Sequence, residues 1–560
     1  MLLLKANKIN RWFGPEQLLK EISFEIYEGD RIGLVGRNGT GKSTLFKILM
    51  GKEEQDSGDF KSLTKIGYLP QYFQFAESET VETFLTRFSY DYGAFMKYLK
   101  KFGLKSDFLD RKLTACSGGE QTKIQLIKLL VQKPGLLILD EPTNHLDIDS
   151  MNWLQQFINN FSGGILIISH DRHFLDKVVN QIWELEEGGI IEYSGNYSSY
   201  KEEREKKLKH KQKEYEKYQE EKRRLKESIR RQQQFVNKTD QGRKKTDSFW
   251  KELKGQDRRA GQFAQRVNAL ESQLNQLEEK DKPFEHQEIN MDLVPRREIP
   301  GDILIQGKKV SKNFEDSNLF SDIDFTIQKG SKIALIGKNG IGKTILLKII
   351  LGNEALSKGK IVRSSSLEIG YFSQKLAQLN PENTVLQELK YFREELPEET
   401  IRTFLGAMLF PGEEVFKNIG DLSTGEKVRV SFTKLLLSKS NLLVLDEPLN
   451  HLDITSREKI EEALVNYPAT ILFVSHDRYF IKKTASHIWE LTGNGLNCFQ
   501  GKYDEYKKYK KRDRKSKQNK VKDDLVLQMR RAELTSRLEQ VKNEEEKKKI
   551  EEKLNKLNQD

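Results

Sequence analysis

The chain has 560 residues, of which 32% are charged and 36% hydrophobic, and its formal net charge is +11. It is too long for one core and too charged for compact domains alone, so folded domains joined to charged helices are expected. The longest apolar runs are strand-length, far short of the roughly 20 residues that cross a bilayer, and Cys116 and Cys498 stand too far apart for a zinc motif or a disulfide framework.

From the N-terminus, MLLLKANKIN reads as a first strand without a signal-peptide pattern. A strand over 31–35 runs into GRNGTGKS at 36–43. Gly36, Gly39 and Gly41 let backbone N–H groups curl around phosphates, Lys42 neutralises the β and γ groups, and Ser43 offers a hydroxyl to Mg²⁺. Asn38 and Thr44 complete the candidate nucleotide contacts of this loop. Gln71 follows, then CSGGE at 116–120, with Ser117, Gly118, Gly119 and Glu120. The strand at 136–139 ends in Asp140 and Glu141 of DEPTNHLD. The first carboxylate suits a Mg²⁺ shell, and the second can accept a proton from an attacking water. His170 of SHD, after a strand at 165–168, is a donor within reach of a γ-phosphate. An acidic pair after a strand is ordinarily a helix N-cap and a lone histidine ordinarily structural; the order of the whole set argues for chemistry.

Residues 200–280 change character. Leu208, Tyr215, Tyr218, Leu225 and Ile229 are spaced by seven, three, seven and four, and Phe263, Val267, Leu270, Leu274 and Leu277 by four, three, four and three. Both read as helix seams that pair in an antiparallel hairpin, with arms of about 30 residues and roughly 45 Å. The predicted tip, 231–262, interleaves Phe235, Phe249 and Trp250 with Arg243, Lys244, Lys245, Lys251, Arg258 and Arg259. Cations attract phosphate and flat rings stack on bases, so these are candidate RNA contacts; a solvated loop is the alternative.

Every motif then recurs. A strand at 332–336 leads to GKNGIGKT, with Gly337, Asn339, Gly340, Gly342, Lys343 and Thr344. Gln374 follows, then LSTGE with Ser423, Thr424, Gly425 and Glu426, then Asp446 and Glu447 after a strand at 442–445, and His476 after one at 471–474. Lys42 to Lys343 is 301 residues, Gln71 to Gln374 is 303, and Ser117 to Ser423, Glu141 to Glu447 and His170 to His476 are each 306. Such regularity marks duplicated α/β domains with largely parallel sheets. The expected boundaries are 1–199 and 286–506 for the two domains, 200–285 for the hairpin and 507–560 for a charged helical C-terminal extension.

P-loop, glutamine, SGGE-type signature, DEPTNHLD and SHD, in that order, resemble the ATP-binding cassette family. Two cassettes with a charged helical linker and no membrane domain resemble its ABC-F branch. The resemblance implies ATP hydrolysis with Mg²⁺ at two composite sites. One would combine Lys42, Asp140, Glu141 and His170 with the signature 423–426, the other Lys343, Asp446, Glu447 and His476 with 117–120. Ser43, Gln71, Asp140, Thr344, Gln374 and Asp446 would serve the metal. Phe13 and Phe314 sit where the family places a ring against adenine, with packing in the core as the alternative. It further implies a cytoplasmic monomer with its two cassettes paired within the chain, acting at the E site of the bacterial 70S ribosome, against 23S rRNA and the P-site tRNA.

Family members divide into housekeeping translation factors and proteins that protect the ribosome from antibiotics. Gln71 to Ser117 is 46 residues and Gln374 to Ser423 is 49, so the first cassette lacks the extra arm of many housekeeping members. With the long tip, this favours protection against lincosamide, streptogramin A and pleuromutilin drugs. A transporter subunit or a DNA-maintenance ATPase fits the linker less well. Two departures stand in the second half, Thr424 for the usual glycine and Leu449 for the usual threonine; nucleotide binding is expected at both sites, and the relative rates of hydrolysis are left open.

Overall fold

A computed structural model describes residues 1–71, 73, 75–88, 91–104, 106–144, 146, 148–243, 265–277, 279–280, 301–314, 317–372, 379–450, 452–493 and 495–512, with 528, 532–536 and 553. They fall into two compact units, one of 1–111, 123–143 and 155–289, the other of 112–122, 144–154 and 290–560.

The first half runs β1 (Leu2–Phe13), β2 (Glu16–Tyr27), β3 (Arg31–Val35), α1 (Lys42–Leu49), β4 (Ser57–Ser62), β5 (Ile66–Leu69), α2 (Val81–Thr86), α3 (Tyr92–Lys101), α4 (Gly118–Val131), β6 (Leu136–Asp140), α5 (Ile148–Asn159), β7 (Gly164–Ile168), α6 (Arg172–Val178), β8 (Gln181–Glu186) and β9 (Gly189–Ser194). Its main sheet has the order β5-β6-β7-β3-β8-β9, with every pairing parallel except that of β8 with β9. β6 and β7 are buried along their whole length, as a parallel sheet covered on both faces requires. The chain leaves β3 between β7 and β8, where the connections part to opposite sides, and there the P-loop begins.

Alternating strands and helices did not foretell the second sheet, β2-β1-β4, which is antiparallel. Its Leu4, Ile9, Phe24 and Ile26 join Leu34, Phe46, Leu166 and Trp183 in one core. β1 carries a bulge at Lys8, φ 47°. Gly58 of β4 crosses it so closely that a Cβ there would lie 2.1 Å from the Lys8 carbonyl oxygen.

The second half repeats this as β10 (Ile303–Phe314), β11 (Ser317–Gln328), β12 (Lys332–Ile336), α9 (Lys343–Leu351), β13 (Lys358–Arg363), β14 (Ile369–Phe372), α10 (Val385–Phe392), α11 (Glu398–Ala407), α12 (Thr424–Leu436), β15 (Leu442–Asp446), α13 (Ile454–Val465), β16 (Thr470–Val474), α14 (Arg478–Thr484), β17 (His487–Thr492) and β18 (Gly495–Gln500), then α15 over 503–512. The sheet orders match strand for strand, and the bulge recurs at Lys309, φ 47°. Most of the C-terminal extension lies outside the described residues.

Between them, α7 (Tyr197–Arg243) spans 47 residues, about 70 Å at 1.5 Å per residue. It is longer than the predicted arm, because Arg, Gln and Lys carry the helix through 231–241 without a proline. A returning helix, α8, covers 265–276. The two are antiparallel: the Gln233 amide donates to Glu271 Oε1 at 3.4 Å, and Lys222 lies 4.0 Å from Glu279. Tyr218, Ile229 and Val267 are buried in the seam, whereas Leu208, expected there, is exposed. Phe263 and the tip beyond Arg243 lie outside the described residues. Among the described residues no helix is long and apolar enough to cross a membrane.

Candidate nucleotide sites

Each P-loop is shaped by glycines that no other residue could replace without strain. Gly41 and Gly342, which begin α1 and α9, have φ of 98° and 102°. A Cβ on Gly36 would stand 2.7 Å from the Leu185 carbonyl oxygen, and one on Gly337 would stand 2.6 Å from that of Leu491. Lys42 is buried, its ammonium donating to the carbonyls of Gly36 at 2.8 Å and Arg37 at 2.7 Å. Lys343 does the same to Gly337 at 2.9 Å and Lys338 at 3.0 Å, and to the Asn339 side chain at 3.4 Å. A buried cation bonded to carbonyls at the mouth of a glycine cradle fits a polyphosphate.

Asp140 and Asp446 end β6 and β15 and are buried. Burial holds both carboxyls above the usual range, against the pull of Lys42 and Lys343. Tyr68, which the motifs do not contain, donates to Asp140 Oδ2 at 3.3 Å, and burial raises its hydroxyl. Its counterpart Tyr371 is likewise raised by burial and then by Asp446. The repeated GY three residues before each glutamine was the available signal. Thr344 bonds Asp446, giving the hydroxyl and carboxylate oxygens that a Mg²⁺ ion prefers. Among the described residues no group of three His, Cys, Asp or Glu forms a metal cage. The donors fit Mg²⁺ held through one carboxylate, one hydroxyl and the phosphates of the substrate.

The next residue changes direction. Glu141 and Glu447 have φ of 48° and 49°, rare for a residue with a Cβ. Their amides still bond across the sheet, to Ile168 O at 2.9 Å and Val474 O at 3.1 Å. The turn takes each carboxylate to the histidine: Nε2 of His170 lies 3.4 Å from Glu141 Oε1, and Nε2 of His476 lies 3.4 Å from Glu447 Oε1. Burial pushes the Glu447 carboxyl up to about 7 against Lys343, which brings it close to the value best suited to a base at neutral pH. Carboxylate, histidine, lysine and aspartate thus converge at the strand ends of each cassette, as phosphoryl transfer to water requires.

Ser117 and Ser423 stand at helix starts in reciprocal caps. The Ser117 amide and hydroxyl donate to Glu120 at 2.7 and 2.9 Å, and those of Ser423 to Glu426 at 2.9 and 2.6 Å. The signature glutamate therefore fixes its own serine. Thr424 is the exposed first residue of α12, next to buried Gly425. Gly119 is buried so tightly that a Cβ would meet Ser150 Oγ at 2.5 Å. At the Leu449 departure the two halves differ in a side-chain contact: Thr143 bonds Ser169 Oγ at 3.1 Å, and Leu449 at that position is buried and apolar.

Phe13 ends β1 with 74% of its surface exposed, so it is no part of the core. The Phe314 side chain and Gln374 lie outside the described residues. So do Lys244, Lys245, Phe249, Trp250, Lys251, Arg258 and Arg259, and the side chains of Phe235 and Arg243, whose backbones belong to α7.

The family model described as ABC transporter matches residues 19–144 and 320–450, and a second of that description matches 183–293, which includes α7 and α8. The ATP-binding protein YdiF of Bacillus subtilis is 34% identical over 90% of this chain and 82% of its own length. The energy-dependent translational throttle protein EttA of Escherichia coli is 32% identical over 88% and 93%, and ABC transporter F family member 5 of Arabidopsis thaliana 31% over 90% and 77%. Among solved structures, an RNase-L Inhibitor covers 88% of this chain and 90% of its own with a TM-score of 0.59 at 20% identity, a likeness of fold. Two matched cassette regions, a helical linker and relatives more than 30% identical over 77–93% of their own lengths make this chain an ATP-hydrolysing, Mg²⁺-dependent member of the ABC-F family.

Proposed function

We propose that the chain is a cytoplasmic, monomeric, ATP-driven factor that binds the bacterial 70S ribosome and presents its hairpin to 23S rRNA and the P-site tRNA from the E site. The observation that carries this reading is the 47-residue charged helix α7 issuing directly from the first cassette, with α8 folded back along it. The net charge of +11 suits a polyanionic partner, and the relative EttA is by name a translational throttle. In this reading ATP closes two composite sites: Lys42, Asp140, Glu141 and His170 act with Ser423, Gly425 and Glu426, and Lys343, Asp446, Glu447 and His476 with Ser117, Gly119 and Glu120. Phe13 and Phe314 hold the adenines. Basic and aromatic residues of 235–259 meet RNA.

Within that reading the chain protects the ribosome from drugs at the peptidyl-transferase centre, with lincosamides, streptogramin A and pleuromutilins as the classes. The support is the stretch between Gln71 and Ser117. Its helices α2 and α3 are matched one for one by α10 and α11, and its short 3-10 turns Ser106–Phe108 and Leu113–Ala115 by Gly412–Phe416 and Ile419–Asp421, with no additional α-helix among the described residues. A housekeeping role in translation is the second reading, favoured by the likeness to EttA along 93% of that protein.

The test is the double variant E141Q/E447Q, which binds ATP and hydrolyses it about 100-fold or more slowly. It is pelleted with ribosomes and a labelled lincosamide or pleuromutilin, with and without ATP. ATP-dependent co-sedimentation with loss of bound drug is expected. Co-sedimentation with drug retained supports the housekeeping reading, and failure to co-sediment refutes ribosome binding.

A further inference from the structure

Both cassettes contain one more matched device, outside every nucleotide motif. β8 runs beside β3 with Glu184 paired to Val35, the residue before Gly36. The next carbonyl on β8, that of Leu185, is the atom against which Gly36 is packed. Glu184 is buried, and its Oε1 accepts from the Tyr200 hydroxyl at 2.9 Å and pairs with Arg204 Nε at 3.0 Å. Tyr200 and Arg204 are one turn apart on the first turns of α7, hence on the same face. Tyr200 is buried edge-on against Tyr193 of β9, 5.0 Å between ring centres. The root of the arm is thus bolted to the strand that abuts the P-loop. A second tie runs from the Ser198 amide to Asp176 on α6, at 3.0 Å, and α6 starts directly after His170 and Asp171.

The second cassette repeats the arrangement. Glu490 pairs with Ile336 before Gly337, which packs on the Leu491 carbonyl. Lys510 bonds Glu490 and donates to the Tyr506 hydroxyl at 3.2 Å, and Tyr506 packs on Phe499 at 5.8 Å. Glu184 to Glu490, Tyr200 to Tyr506 and Arg204 to Lys510 are each 306 residues, the offset of the catalytic set. A buried carboxylate is costly unless held. A carboxylate at the same place in both cassettes, buried at Glu184 and half-buried at Glu490, each paired with a cation of the helix above it, points to a use beyond packing.

We propose that Glu184, with Tyr200 and Arg204, is a positioning residue that couples the nucleotide state of the first P-loop to the direction of α7, and that Glu490 with Tyr506 and Lys510 does the same for α15. When Lys42 turns from the Gly36 and Arg37 carbonyls to phosphate, the loop backbone at Gly36 loses two bonds and shifts. Close-packed interiors pass such shifts on rather than absorb them. Gly36 stands against the Leu185 carbonyl, and Glu184 hands the shift to the root of a long lever. A tilt of about 5° there displaces the far end of a helix about 70 Å long by roughly 6 Å. The coupling needs nucleotide at the first P-loop and no ribosome.

The experiment uses the full chain with C116S and C498S and spin labels at E220C on α7 and K61C on β4. The distance between the labels is measured with and without Mg²⁺ and a non-hydrolysable ATP analogue, and binding of the analogue is titrated separately. The expected result is a shift of several ångströms in the parent. E184Q and R204Q should lose more than half of it while analogue affinity stays within twofold, and E490Q should leave it intact. R204Q alters a partly exposed side chain and keeps the test open if E184Q does not fold. An undiminished shift in R204Q or E184Q, a loss of affinity that parallels the loss of shift, or a parent that binds the analogue without moving would each overturn the proposal.

Discussion

Replacing Thr143 by valine should loosen the loop that carries His170 without touching the loop itself. Thr143 Oγ1 lies 3.1 Å from Ser169 Oγ, and Ser169 in turn accepts from the Asp171 amide at 3.1 Å. Valine keeps the shape and removes the hydroxyl, so buried Ser169 loses a partner while its bond from Asp171 survives. One lost hydrogen bond, with part of the cost of a buried hydroxyl left unpaired, comes to about 1–2 kcal/mol. The cost is local, so the assay is native-state hydrogen exchange, in which the amides of 169–171 should exchange roughly 5–30-fold faster. The second cassette supplies a built-in comparison: Leu449 replaces the threonine, and the Ser475 hydroxyl accepts from the Asp477 amide at 3.1 Å. Its 475–477 amides should already exchange faster in the parent and stay unchanged in T143V. Exchange at 169–171 within twofold of the parent, while S169A accelerates it, would refute the reasoning.

Gly58→Ala and Gly359→Ala place a Cβ 2.1 and 2.2 Å from the carbonyls of Lys8 and Lys309 at φ of +87° and +92°; each should cost roughly 2–5 kcal/mol. Gly29→Ala, at φ +88° with open space around it, should cost only about 1–2 kcal/mol, and thermal melts rank the three. Burial works to raise the Glu426 carboxyl, but the Ser423 hydroxyl and amide and Arg429 win and hold it below the usual range. A depressed value in the folded state means that the cap's contribution is complete above the ordinary carboxylate range and is lost as pH falls through the folded value. Amides of the first turn of α12 should therefore lose protection on acidification; E426Q should lose about 1 kcal/mol of it at neutral pH and no longer respond. Val267→Asp puts a charge into the α7–α8 seam, where Val267 is buried with Tyr218 and Ile229. It should weaken the pairing by about 2–4 kcal/mol, read as faster proteolysis of α8 with ATP hydrolysis unchanged.

The parallel sheets were legible because buried strands such as 136–140 and 442–446 are unbroken apolar runs ending in an acidic pair. The antiparallel sheets were not, because β1 and β10 bury alternate residues only until the bulges at Lys8 and Lys309 interrupt the alternation. The motifs named the lysines, carboxylates and histidines that the fold gathers at the strand ends. They did not name Tyr68, and although DEPTNHLD contains Thr143 they gave no sign of its partner, because these pairings span 72 and 26 residues. Spacing gave the hairpin its direction and most of its seam. The length of α7 escaped it, since a helix continues wherever nothing breaks it, with or without a partner to pack on.

Strain supplies an independent argument that both sites are built for chemistry. A residue with a Cβ at positive φ costs of order 1–3 kcal/mol, and random drift after a duplication should relieve it in at least one copy by substituting glycine or asparagine. Lys8 and Lys309, Glu21 and Asp322, and Glu141 and Glu447 hold φ between 45° and 49° in both halves. The first two pairs shape the bulged strands and could be kept by packing alone. The third pair sits elsewhere: Glu141 and Glu447 follow the last residue of their strands, and each carboxylate lies 3.4 Å from the Nε2 of a histidine at the neighbouring strand end. What the strain secures there is a carboxylate turned to the histidine beside Asp140 or Asp446; in the proposed roles, base and metal ligand, adjacent in sequence, then do not compete for one position. The same strain stands in both halves, so the two sites should share one mechanism.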